Sequence, residues 1–172
     1  MSLNQNLSDI KFSTTDISDT ATDMAGNEES DIVGKYKMNK EQQMDEMLQA
    51  MGYTYTSRRA IMTSTKYFKI EKNGEYWQTT EYIKSNIVKE SWSLKFRSGK
   101  KFSWTARNGT KVKSLITKKD NKFEFRHDPG DLQEYRTLHG EMEFLDKGEM
   151  VMKMRVEEVE GLEAVYHYKK YK

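Results

Sequence analysis

Residues 89–106 read Lys89-Glu90-Ser91-Trp92-Ser93-Leu94-Lys95-Phe96-Arg97-Ser98-Gly99-Lys100-Lys101-Phe102-Ser103-Trp104-Thr105-Ala106. Every second residue is apolar on both sides of Ser98-Gly99, so Trp92, Leu94 and Phe96 share a face, as do Phe102, Trp104 and Ala106. A glycine turn between two alternating runs is the signature of a β-hairpin. The pattern continues downstream, where Phe123 and Phe125 share a face, as do Met150, Met152, Met154 and Val156. Turn signals recur at Asn73-Gly74, Asn108-Gly109, Asp120-Asn121, Asp128-Pro129-Gly130, Lys147-Gly148 and Glu160-Gly161. From Lys66 to the C-terminus the chain therefore reads as one antiparallel meander with a single apolar face, whose common solutions are a sandwich or a closed barrel.

Upstream of the meander the period changes. Gly34 to Met38 alternates as a strand. Met44, Met47, Leu48 and Met51 then fall at i, i+3, i+4 and i+7, one face of a helix that Gly52 is placed to end. A second short helix is expected near 54–63. A helical pair inserted after the first strand favours a barrel with a lid. Residues 1–31 differ again: seven acidic side chains against Lys11 give a net charge of −6, leaving +8 on 32–172. With no apolar period, this segment is expected to be a disordered acidic tail.

The 172 residues contain no cysteine, which excludes a disulfide framework and thiol chemistry. No stretch is apolar enough for a membrane-spanning helix, and no secretory leader opens the chain. A cytoplasmic protein is the expectation. No nucleophile elbow, phosphate loop or metal-ligand cluster is legible, so catalytic residues, metal and cofactor are all expected to be none. The alternative reading is a non-catalytic barrel serving as an interaction or nucleic-acid-binding module. The +8 excess and the aromatics favour it, but their alternation turns those rings inward, away from bases.

Several stretches in order resemble the intracellular fatty-acid-binding proteins, a lipid-binding family of the calycin superfamily. They are Gly34-Lys35-Tyr36-Lys37-Met38, the helix from Met44-Asp45 to Met51-Gly52, Arg58-Arg59-Ala60, Ile70 to Glu75, Lys111 to Ser114, and Gly161 to Lys170. The resemblance covers about Ile32 to the C-terminus. It implies an all-β fold, a closed ten-stranded antiparallel up-and-down barrel with a helix-turn-helix lid after the first strand. It also implies a monomer that transports a small hydrophobic ligand, a fatty acid, retinoid-like molecule or other lipid, inside the barrel. Basic lid residues such as Arg58 and Arg59 would meet anionic membranes transiently or form a nuclear-import surface. No nucleic-acid partner is expected.

Two departures stand out. Where the family has Asn-Phe before the acidic residue of the first helix, this chain has Gln43-Met44. Many members hold a ligand carboxylate with an inward arginine on the eighth strand and an Arg-x-Tyr pair on the last. Here the last pair is Tyr166 and Tyr168, and the eighth-strand position is Met142, with Arg136 of the same parity. Losing arginine's donor fork weakens the case for a carboxylate ligand and favours an alcohol, ester, sterol-like or retinoid-like one. The expected ligand-binding set is Met44, Met47 and Ile61 from the lid, Met142, Met152 and Met154 as a repackable wall, and Arg107, His127, Arg136, Tyr166 and Tyr168 as polar groups.

Overall fold

A computed structural model of the chain describes residues 28–86, 89–106, 109–130 and 136–172. The elements run α1 (Glu28–Ile32), β1 (Gly34–Gln42), α2 (Met44–Ala50), α3 (Tyr55–Met62), β2 (Thr65–Asn73), β3 (Tyr76–Lys84), β4 (Lys89–Arg97), β5 (Lys101–Thr105), β6 (Lys111–Lys119), β7 (Lys122–Asp128), β8 (Leu138–Leu145), β9 (Glu149–Val156) and β10 (Glu163–Tyr171). One antiparallel sheet holds all ten strands in the order 4-3-2-1-10-9-8-7-6-5. The expected lidded up-and-down barrel is what forms.

The ladder has one seam. β4 and β5 are the two ends of the strand order, and side chains and turn atoms join them where hydrogen-bonded pairing does not. Phe96 and Phe102 stack across the seam with ring centroids 6.0 Å apart. Below them the Gly99 N–H donates to the Ile116 carbonyl at 2.9 Å, and the Lys118 N–H to Ser98 Oγ at 2.8 Å.

Strand alternation places Tyr36, Phe68, Ile70, Trp77, Phe96, Ile116, Phe123, Met142, Phe144, Met150 and Met152 in the interior. β1 bends at a bulge between Met38 and Lys40, after which Glu41 pairs with Tyr166. The chain then enters α2 through Gln43, whose φ of 55° is left-handed. The Glu41 carboxylate accepts from the Met44 N–H at 3.3 Å, doing the capping that Gln43 does not. α2 ends as its glycine requires. Gly52, at φ 87°, donates to the Gln49 carbonyl, and Tyr53 to Leu48, both at 3.0 Å, a Schellman closure. Met44, Met47 and Leu48 face the barrel, while α3 buries nothing fully and is tied down through Arg58 Nε to Asp45 Oδ1 at 2.9 Å.

The N-terminal boundary needs correction. Residues 1–27 of the expected tail lie outside the described residues, but Glu28–Ile32 is a helix. Ile32 is buried, and the Tyr36 hydroxyl donates to its carbonyl at 2.7 Å. Lys170 Nζ donates to the Asp31 carbonyl at 3.0 Å, and Glu29 pairs with Lys72. This short helix is therefore held by what it plugs and by the charges around it. Its own sequence has no apolar period long enough to foretell it.

Candidate functional site

The two ends of the interior are built differently. At the base, where the β2–β3, β4–β5, β6–β7 and β8–β9 turns lie, aromatic rings fill the space. Phe123 meets Trp77 at 5.0 Å, Phe96 at 5.8 Å and Phe144 at 5.8 Å between centroids, and Phe144 meets Tyr36 at 6.0 Å. Toward the lid, the inward positions Glu81, Trp92, Leu94, Trp104, Leu138 and Met154 are only partly buried. That half holds the polar side chains.

Glu81 sits on β3 between Phe68 of β2 and Trp92 of β4, with the same parity as Trp77 and Ile83. It therefore points inward. Burial pushes its carboxyl up to about 7, against a smaller opposing pull from Lys66. Lys66, also inward, is buried. Desolvation lowers its ammonium, and Glu41 and Glu81 partly restore it. Its Nζ donates to the Ser64 carbonyl at 2.9 Å, leaving donors to spare, and it forms no direct ion pair with Glu81. Tyr166 and Tyr168 complete the group from β10. Burial raises both phenols well above their usual value, with Glu81 adding to it, so both stay neutral.

The rings of Tyr166 and Tyr168 are 5% and 2% exposed, yet neither hydroxyl has a hydrogen-bond partner among the described residues. Among the described residues no buried side-chain polar atom is left without a partner, so these two hydroxyls open onto accessible interior space.

A second polar station lies across the interior. Trp104 Nε1 donates to Ser114 Oγ at 2.8 Å, and Ser114 Oγ stands 2.7 Å from His127 Nδ1. The arrangement that uses every proton has Ser114 donating to Nδ1, which leaves His127 a neutral ring with Nε2–H as a donor. Burial lowers the imidazole to about 4, and Phe125 stacks on it at 5.4 Å.

Of the residues singled out from sequence, Met44, Met47, Met142, Met152, Tyr166 and Tyr168 are buried in the barrel core. Met154, Ile61 and His127 are partly buried, the first two packing against that core. Arg107 lies outside the described residues. Arg136 is a correction. It precedes β8, which begins at Leu138, and is exposed, so strand parity does not govern it. Lys66, Glu81, Ser114 and Trp104 were missed as polar groups of the interior. Their signal was available as parity, Lys66 with Phe68 and Ile70, Glu81 with Trp77 and Ile83, Ser114 with Val112 and Ile116. A charged or hydroxyl residue between polar neighbours reads as solvent-facing until the strand's register is known.

A lidded antiparallel barrel with a polar interior defines the class of small ligand-enclosing barrels. No protein-family model matches the chain. A fatty acid-binding protein of Clonorchis sinensis is 26% identical over 117 residues, 66% of this chain and 85% of that protein. The cellular retinoic acid-binding protein 1 of Hippocampus comes is 30% identical over 88 residues, 50% of this chain and 61% of that protein. Among solved structures, lipid binding protein 8 of Caenorhabditis elegans superposes with a TM-score of 0.71 at 18% identity, covering 83% of this chain and 96% of its own. The Schistosoma mansoni fatty acid binding protein in complex with arachidonic acid gives 0.70 at 20% identity, covering 85% and 100%. In sequence the chain is thus similar to fatty acid-binding and cellular retinoic acid-binding proteins, and in fold to lipid-binding barrels.

Proposed function

We propose that this protein binds and transports a small hydrophobic ligand within its barrel, and that it has no catalytic activity. The observation that carries this reading is the pair of buried tyrosines on β10 whose hydroxyls open inward without a protein partner. A dry scaffold would gain by replacing them with phenylalanine. In this reading Tyr166, Tyr168 and His127 meet the ligand's polar end. Met142, Met152 and Met154 pack along its tail, and Met44, Met47 and Ile61 close over it. The relatives named for fatty acids and retinoic acid support an apolar ligand of that size.

The protein acts as a cytoplasmic monomer with access to the nucleus. Its lid meets anionic membranes transiently. Supporting this, Tyr55 at the start of α3 is 64% exposed, with the Arg59 guanidinium 5.3 Å above its ring. Native mass spectrometry of protein purified from its own cells, followed by organic extraction, tests the central claim. The expected result is a lipid-sized adduct. Protein that carries none, and that fails to enhance Nile red fluorescence after delipidation, overturns it.

A further inference from the structure

Among the described residues, the inward positions of the lid-side half carry no arginine. They carry Lys66 on β2, Glu81 on β3 and, past the β1 bulge, Glu41 beside Tyr166. A carboxylate ligand entering this half meets more negative charge than positive. A neutral hydroxyl meets the opposite situation. It needs one acceptor and one or two donors, and the site offers Glu81 as acceptor, with Lys66 and the tyrosine hydroxyls as donors. Lys66 faces Ile83 across the β2–β3 ladder and Glu81 faces Phe68, so the two inward side chains stand diagonally on neighbouring strands. The ring of Phe68, the residue opposite Glu81, lies 6.1 Å from that of Tyr168, which with Tyr166 faces the same interior from β10.

We propose that Glu81, Lys66, Tyr166 and Tyr168 form a subsite for the hydroxyl end of a neutral lipid, and that Glu81 selects against fatty-acid anions. The hydroxyl donates to the Glu81 carboxyl and accepts from Lys66 Nζ or a tyrosine. Arginine would have matched a carboxylate through two parallel donors, whereas one ammonium beside one carboxylate matches a group that both gives and receives. This rests on the lipid-binding reading above and names the class of lipid.

Two ligands with the same tail separate the claims. Delipidated full-length protein loaded with Nile red, a neutral probe, is titrated at pH 8 with oleyl alcohol and with oleate. The alcohol should displace the probe at a concentration about tenfold lower. Glu81→Gln, nearly isosteric, should strengthen oleate about tenfold and change the alcohol little, because one buried like charge is gone. Lys66→Met should weaken the alcohol severalfold, and it serves as the second variant if Glu81→Gln does not fold. A wild-type preference for oleate, or variants that shift both ligands alike, overturns the subsite and leaves lipid binding standing. If Nile red and both ligands fail to bind, the lipid reading falls and the subsite with it.

Discussion

The base and the lid-side half of this barrel use the same strands for opposite purposes. At the base Phe123 is fully buried and touches three rings, α1 seals the opening, and Tyr36 spends its hydroxyl on the Ile32 carbonyl. Toward the lid the tyrosines of β10 keep their hydroxyls unspent, and Glu81 and Lys66 are enclosed without pairing directly. A polar group with a protein partner stabilises the fold, and one without a partner costs stability until something else enters. The difference separates the part of the core that holds the molecule together from the part kept ready for a ligand.

That contrast should appear first in stability. Phe123→Ala removes the ring at the centre of the base and should cost about 3–5 kcal/mol in urea unfolding, with Met154→Ala on the lid side costing well under half as much. Equal losses would mean that the lid-side half is packed as tightly as the base.

The two titrating groups near the lid should give opposite pH dependences. The Glu81 carboxyl is raised to about 7, so its favourable contribution is complete below pH 4.5 and is lost as pH rises through 7. Glu81→Gln should therefore be more stable than wild type by about 1–3 kcal/mol at pH 8, the gain vanishing toward pH 4.5. His127 is lowered to about 4 from 6.5, so the protein loses stability as pH falls from 6.5 toward 4, by about 1–3 kcal/mol. His127→Gln should flatten that acid limb. In the wild type the two slopes largely cancel between pH 4.5 and 6.5. A flat wild-type profile with steep single variants is the outcome to look for in thermal melts across pH.

Tyr168→Phe sharpens the comparison by separating stability from binding. The hydroxyl it removes has no protein partner, so the melting temperature of delipidated protein should hold or rise slightly. Affinity for a polar-headed lipid should fall two- to tenfold, about 0.5–1.5 kcal/mol, with a hydrocarbon probe unaffected. Tyr36→Phe at the base should do the reverse, lowering the melting temperature and leaving affinity alone. The smallest effect concerns Gln43, held at a φ of 55°. Asparagine tolerates that conformation better, and Gln43→Asn should gain about 0.5 kcal/mol in chemical denaturation, without altering either end of the barrel.

Reading the chain alone was enough to place the strands and helix α2, because alternation and turn chemistry are local, while the choice of a closed ten-stranded barrel over a sandwich came from the family resemblance. Trp92-x-Leu94-x-Phe96, the glycine turns and the methionine spacing of α2 each specify an element without reference to the rest. The ends of elements and the polar interior depended on tertiary structure. Helix α1 exists because Ile32 has a core to enter and Tyr36 and Lys170 wait for its carbonyls. Arg136 is outside because β8 starts two residues later. Glu81 and Lys66, a carboxylate and an ammonium with nothing apolar about them, turn inward because a strand's faces are assigned together. Trp77 and Phe68 claim the interior for every residue of their parity, and the charges are carried in with them.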